Sequence, residues 1–584
     1  MHVENFLAVS VAPLQSNYWQ ITTFRKMLPP LRFFATAAIA LHAGSLHAEA
    51  GWVATKTQAF DTRTAIVQRR AADTEMLHVV VALKLRDKST LDSIVAQPGG
   101  TRAPSGLDPD VIKSRFAPTP EQRDAVILYL RNAGFTNVRA TANGLLVTAT
   151  GSAAAAQRAF HTVLAHVQYG SRSGIANLSP AMVPAELGDT VLSVLGLNTL
   201  FRAHSLAVPS RPATGCGGRL QCDVTVFPGA FDPPTLAAVY NAGSLPTGSG
   251  ITAGIIVDGN VAQPVSDLRV FESVHGYAPL TPKLVLAGPA GSDTSSTTEY
   301  DIDSQTILGV AGGSLANLIF FVATTLNDDD LTLAINAALS YPAAKTINIS
   351  LDLCETEEVS DGTVAADDQI FELAVAQGQT FAVASGDQGS AECTGPGQSY
   401  PASSRYVIAV GGTTLKASGN TYVSETAWSG SGGGPSVIES KPPWQDHFVG
   451  GSTRGVPDLA FDGDPATGVM LIVGGSYSSS TWGGTSLAAP ILTGLMSRLQ
   501  AAQKNRLPFP VEQFYGFPDA IRPLTYHDVT SGSNGAYKAT AGWDYVTGFG
   551  SLNTAVTNHY LGTPPLAGVV TYLLGNQLRF SEGK

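Results

Sequence analysis

Six short apolar runs recur between residues 254 and 410: Gly254-Ile-Ile-Val, Leu284-Val-Leu, Leu318-Ile-Phe-Phe-Val, Ile347-Asn-Ile-Ser-Leu, Phe381-Ala-Val-Ala and Val407-Ile-Ala-Val. Runs this short and this uniformly apolar suit strands buried on both faces of a parallel sheet. Helical segments such as Asp330 to Ser340 and Asp367 to Gln377 lie between several of them. The alternation predicts an α/β domain, a doubly wound parallel sheet, over residues 223–584. In such folds a site forms beyond the carboxyl ends of the strands. Asp387, in Ser385-Gly-Asp-Gln-Gly just past the run 381–384, is placed to serve one.

A second stretch bears on chemistry. Thr481-Trp-Gly-Gly-Thr-Ser-Leu-Ala-Ala-Pro490 joins a glycine pair, free to turn tightly, to apolar residues at helical spacing through Leu492, Leu495, Met496 and Leu499. Ser486 is thereby expected at a helix start, where free N–H groups and the dipole favour negative charge. That suits a nucleophile, although a lone serine there is more often a cap.

The 584-residue length is too great for one average domain. Residues 1–50 read as an N-terminal extension and secretory signal: Arg25, Lys26 and Arg32 flank the apolar Phe33 to Leu41, and small residues follow around Ala48 and Ala50. Met27 is the more usual start, and the apolar run is short for a membrane span. Residues 51–205 form a compact α+β block. His78 to Leu85 and Leu145 to Thr150 are expected strands, and Pro118 to Ala133 and Ser152 to Phe160 expected helices, the first capped by Thr119. The block carries no catalytic constellation. Residues 206–222, rich in Pro, Gly and Ser, read as an exposed, cleavable linker. Block, linker and larger domain make the layout of a zymogen.

Export permits disulfides. Four cysteines allow three pairings. Cys216 and Cys222 are near enough to close a small loop, leaving Cys354 for Cys393. A formal charge of −11 provides no basic surface for nucleic acid.

A serine nucleophile needs a base. In the large block the histidines are His275, His447, His527 and His559, and none opens a Gly-rich helix. The carboxylates are more suggestive. Glu299 and Asp303, in Thr298-Glu-Tyr-Asp-Ile-Asp-Ser-Gln, share one face of an expected helix, and like charges there raise at least one pKa.

The stretches Glu299-Tyr-Asp-Ile-Asp303, Ser385-Gly-Asp387 and Gly484-Thr-Ser486-Leu-Ala-Ala-Pro490 resemble the three catalytic motifs of the sedolisin family, serine-carboxyl peptidases that are secreted acid proteases of subtilisin-like fold. Tyr400-Pro-Ala-Ser-Ser, Ala409-Val-Gly-Gly-Thr-Thr-Leu415, Gly432-Gly-Gly-Pro-Ser436 and Val456-Pro-Asp458 extend the resemblance, and residues 75–205 resemble the family's prosegment. The bacterial pepstatin-insensitive branch is the most similar, and its cysteine pair corresponds to Cys354 and Cys393. The resemblance implies Ser486 as nucleophile, Glu299 as general base and acid, Asp303 supporting Glu299, and Asp387 in the oxyanion hole. Two departures stand out. Gly484 replaces a more usual serine, at little expected cost, and Asp352 replaces a frequent glycine on a strand edge that faces substrate.

Asp528 and Asp544, with intervening carbonyls, suit a hard oxygen-ligated cation, although from spacing alone paired Asx turns are the favoured reading. The resemblance implies one calcium held by both side chains and the carbonyls of Val529, Thr540 and Gly542. It further implies peptide substrates, the prosegment as intramolecular inhibitor, and a secreted monomer free of the membrane after signal cleavage. Two rival readings are a neutral subtilisin-like hydrolase using histidine and an inactive secreted binding protein on the same scaffold. The pH–rate profile separates the first, because a histidine base loses activity near pH ~6–7. Titration with a peptide aldehyde that traps Ser486 separates the second.

Overall fold

The computed structural model describes residues 51–96, 106–210 and 229–561. The expected signal segment 1–50, most of the expected linker 206–222, and Cys216 and Cys222 lie outside the described residues.

The large sheet runs in the order 283–286, 317–323, 252–258, 344–349, 380–384, 408–418, 421–427. All neighbours are parallel except the last pair, and Leu459–Asp462 adds a further parallel strand beside Ile408–Ser418. The order reverses around Thr252–Asp258, as doubly winding requires. Helices Thr297–Val310 and Thr485–Ala502 pack together on one face, and Asp328–Leu339 and Thr363–Gln377 pack together elsewhere on the sheet. Gly494 permits the first contact, because a Cβ there would lie 2.7 Å from Val310 Cβ.

Two apolar runs behave otherwise than expected. Lys283–Leu286 is parallel but sits at the sheet edge, leaving Leu284 47% and Leu286 55% exposed. The run 347–351 is not one strand. Ala344–Ile349 ends at Ser350, and Leu351–Cys354 leaves to join a small three-stranded sheet.

The N-terminal block builds a four-stranded antiparallel sheet, ordered 136–140, 146–152, 76–83, 191–195. Helix Pro120–Asn132 starts at a reciprocal cap: Thr119 Oγ accepts from the Gln122 amide, and Gln122 accepts from the Thr119 amide. Ser152 caps Ala153–Ala159 likewise. One continuous buried cluster joins Val80, Ala82 and Leu195 of this block to Leu333, Ala334 and Ala338 of the large domain. Polar contacts support the junction, with His78 Nδ1 2.8 Å from Asp329 Oδ2 and Arg172 Nη1 donating to Glu357 at 2.9 Å.

Candidate active site

Each element that carries a candidate residue ends at one place. Glu299 occupies the first turn of Thr297–Val310, with Asp303 a turn later, and both are buried. Ser486 is the second residue of Thr485–Ala502 and is fully buried. Asp387 follows Thr380–Ala384 through Gly386, whose φ of +106° turns the chain toward the serine helix.

Asp387 Oδ1 accepts from the Thr485 amide at 2.7 Å and from Thr485 Oγ1 at 2.9 Å. Its Oδ2 has no hydrogen-bond partner among the described residues, and Ser486 Oγ makes no bond of ordinary geometry, approaching Glu299 more loosely. Asp303 Oδ1 accepts from Ser350 Oγ at 2.7 Å and Asn348 Nδ2 at 2.8 Å, while Asp303 Oδ2 and Glu299 Oε1 are both unpartnered. Burial pushes Glu299 well above the ordinary carboxyl range, and the Asp303 charge adds to it. The hydroxyls of Ser205 and Ser486 and the Leu206 amide pull partly back. Burial raises Asp303 well above its ordinary value against the Ser350 and Asn348 bonds. It does the same to Asp387 against the Thr485 bonds, with the Asp352 and Glu299 charges adding.

Residues 206–210, expected to be exposed at the linker's start, instead occupy this cleft together with His204 and Ser205. His204–Ser205 pairs antiparallel with Leu351–Cys354, and Val208–Pro209 with Trp482–Gly483. Between them Leu206 is 4% exposed. Ser205 Oγ donates to Glu299 Oε2 at 2.8 Å. A Cβ on Gly484 would lie 2.1 Å from the Leu206 carbonyl oxygen, 2.7 Å from Asp387 Oδ2 and 3.0 Å from Ser486 Oγ. Hydroxyl, carboxyl and peptide carbonyl therefore surround one point that only a glycine leaves open. With φ at +105° as well, Gly484 cannot become serine at little cost, contrary to expectation.

No histidine is hydrogen-bonded to Ser486 among the described residues. His275 pairs with Asp232 at 2.9 Å, and His527 stacks on Tyr422. The residues that position the carboxyls, Thr485, Asn348 and Ser350, and those that fill the cleft, Ser205 and Leu206, were not singled out from sequence. Thr485 could have been, as the neighbour of Ser486 in one motif.

Cys354 and Cys393 form a disulfide. At the C-terminal end, Asp528 Oδ2 accepts from the Gly542 amide at 2.9 Å and Asp544 Oδ2 from the Thr540 amide at 2.8 Å, bringing the expected metal-binding loops together. The carbonyls of Val529, Thr540 and Gly542 accept no hydrogen bond among the described residues. Burial raises both carboxyls, which backbone amides oppose. An all-oxygen set of two carboxyls and three carbonyls without hydrogen bonds is the donor chemistry of a hard cation, although both oxygens of Asp544 already accept from the amides of Thr540, Val546 and Thr547.

Residues 64–200 match the pro-kumamolisin activation domain, and residues 284–550 match the subtilase family. The chain is 40% identical over 560 residues to sedolisin of Pseudomonas sp. (strain 101), covering 89% of this chain and 94% of that protein. Xanthomonalisin of Xanthomonas sp. (strain T-22) is 37% identical, over 90% of this chain and 74% of its own. Among solved structures, Pseudomonas sedolisin, a serine-carboxyl proteinase complexed with two molecules of pseudo-iodotyrostatin, is 42% identical with a TM-score of 0.54, covering 57% of this chain and 97% of that one.

Proposed function

The chain belongs to the sedolisin family of serine-carboxyl peptidases, joining an activation domain to a subtilase-fold domain, and on that premise we propose that it is a secreted acid endopeptidase made as a self-processing zymogen. The observation that carries this reading is the convergence of Ser486 Oγ, Asp387 Oδ2 and a peptide carbonyl around Gly484.

Ser486 attacks the substrate carbonyl as Glu299 accepts the Oγ proton. Glu299 can do so in acid, where a histidine base is already protonated. Burial, and after it the Asp303 charge, raise Glu299's affinity for that proton, so it is the ionised fraction of Glu299 that reacts in acid, and it reacts as a strengthened base. Ser350 and Asn348 hold Asp303 Oδ1, so Asp303 orients its neighbour from behind. Asp387, protonated, donates from Oδ2 to the oxyanion, while Thr485 holds its other oxygen. Glu299 then returns its proton to the leaving amine, and a second cycle with water frees the serine.

Residues 51–205 serve as the prosegment, 206–222 as the stretch leading out of it, and 223–584 as the catalytic domain, with 1–50 the extension and signal peptide. The enzyme acts as a monomer on protein or peptide substrates. Among the described residues no helix is long and apolar enough to cross a membrane. Asp528 and Asp544, with the carbonyls of Val529, Thr540 and Gly542, would hold one calcium. The ion supplies a fixed positive charge that pins two loops and takes no part in the reaction.

Peptide hydrolysis measured from pH 2 to 8 after acid activation tests the reading. Activity is expected on the acid side, and the Ser486→Ala precursor is expected to stay full length. A maximum at neutral pH, or self-cleavage by that variant, would overturn it.

A further inference from the structure

The segment in the cleft lies in a register from which substrate preference can be read. His204 stands opposite Asp352, and Ser205 opposite Leu351. Residues directly opposite in an antiparallel pair project side chains to one face, with Cβ atoms ~5 Å apart. The imidazole accordingly approaches the carboxylate, His204 Nε2 lying 3.2 Å from Asp352 Oδ1. The other carboxylate oxygen is fixed, Asp352 Oδ2 accepting from Ser399 Oγ at 2.7 Å. Asp352 is 3% exposed, whereas the His204 side chain is 57% exposed. The acid therefore belongs to the built wall of the cleft, and its partner is the replaceable member. Glu357 also feels the charge of His204 and is bonded to Arg172 of the prosegment at 2.9 Å. Departure of the prosegment removes that arginine and leaves a second carboxylate near the same position.

An extended peptide bound by strand addition repeats this register, because main-chain bonds to Leu351–Cys354 set it whatever the side chains are. The carbonyl beside Ser486 and Asp387 belongs to Leu206, so the Leu206–Ala207 bond is the one presented for attack. His204 is the third residue on its acyl side.

Resting on the peptidase reading above, we propose that Asp352 makes the cleft select a cationic side chain at the third residue before the cut bond, and that the first bond so chosen is Leu206–Ala207 of the chain itself. In that step Ser486 Oγ bonds to the Leu206 carbonyl carbon and its proton passes to Glu299. The Leu206–Ala207 C–N bond breaks, and Glu299 protonates the departing Ala207 amine. Water then hydrolyses the Leu206 ester, leaving a carboxylic acid and restoring the Ser486 hydroxyl.

The test uses full-length precursors carrying His204→Arg or His204→Gln, each with Asp352 intact and with Asp352→Asn. After an acid shift, mass spectrometry follows the first-order appearance of the fragment beginning at Ala207 and its partner ending at Leu206. At a mildly acid pH where Asp352, raised by burial and drawn back by a cation at position 204, is ionised, the arginine form with Asp352 intact is expected to self-cleave about five-fold faster than the glutamine form, the range of a partly exposed ion pair. With Asp352→Asn the ratio should fall to about one, which is the loss of that same pair. A ratio taken within one background cancels any loss of folded protein. Matched peptides with arginine or glutamine at the third position, given to the mature enzyme, provide a second reading of the same ratio. Cleavage at rates blind to residue 204 in both backgrounds, or a first cut at another bond, would overturn the proposal while leaving the peptidase reading intact. Absence of any cleavage, of chain or of peptide, would overturn both.

Discussion

Ser205 Oγ donates to Glu299 Oε2 at 2.8 Å, so a hydroxyl of the N-terminal segment holds the carboxyl proposed as the base for Ser486. Among the described residues Ser486 Oγ makes no hydrogen bond of ordinary geometry, although its hydroxyl lies close enough to Glu299 to lower the pKa of that carboxyl. The precursor thus fills its own cleft while engaging its base elsewhere. Ser205→Ala should release Glu299 and speed self-processing by about ten-fold, the equivalent of ~1.4 kcal/mol and within the range for an ordinary intramolecular hydrogen bond. The measurement is the half-life of full-length precursor after a shift to acid. An unchanged half-life would mean that Ser205 does not restrain the base.

Asp387 should govern the alkaline limb of the activity profile. Only the protonated carboxyl donates to an oxyanion, and burial keeps Asp387 protonated well above its ordinary pKa. Asp387→Asn retains a neutral donor at every pH. It is expected to lower kcat about ten-fold or more, as a weaker donor in the same place, and to move the alkaline limb upward. Comparison of the two kcat profiles checks this, and a stationary limb would remove Asp387 from that role.

Stability should fall as pH rises. Burial raises Glu425 and Glu372 to about 7 and Glu392 and Glu439 to about 9. An unfolded chain titrates these groups near ~4.3. Between the two values the folded state binds more protons, so the stabilisation is complete below the unfolded value and is lost progressively up to pH about 7 and then about 9. Asp293 acts oppositely. Its bonds with Ser295 and Arg202 lower it to about 2, so its contribution disappears as pH falls through that value. Melting temperatures of the Ser486→Ala precursor are therefore expected to peak in mild acid and decline toward pH ~9. A maximum at neutrality would contradict the sign.

Chelation should destabilise the intact protein. An ion bound only by the folded state contributes about 3–4 kcal/mol at 100 to 1,000 times its Kd. Asp544 is a poor choice for substitution, because its carboxylate also receives the amides of Thr540, Val546 and Thr547. Asp528→Asn is cleaner, since a single amide, that of Gly542, donates to its carboxylate among the described residues. A chelator should lower the melting temperature of the native chain and leave that of Asp528→Asn unmoved. Equal curves for the native chain with and without chelator would favour plain Asx turns.

Local patterns carried most of this architecture. The runs at 254, 318 and 381 are strands because neighbours on both faces bury them, and uniform apolarity records that directly. The run at 284 has the same composition at a sheet edge, a position that depends on strand order and leaves no mark on a short run. The stretches that carry Ser486, Glu299, Asp303 and Asp387 stood out because each is a compact motif of polar residues beside an apolar run, and the fold brings three of their elements to one place. Asn348 and Ser350 were not, because both lie inside or beside an apolar run and act on Asp303, more than forty positions away. Ser205 was hidden for a stronger reason: its partner lies 94 positions on, and its surroundings have the composition of a loop.

The strands flanking Leu206 belong to the same polypeptide as the serine beside it, which fixes the order of the first reaction. A bond held in place by its own chain is cut at a rate that dilution does not change. Under the proposed self-processing each molecule keeps its own clock, started by acid and indifferent to how many others surround it. Secretion into a large volume would slow any activation that waits for collisions, and would leave this one untouched.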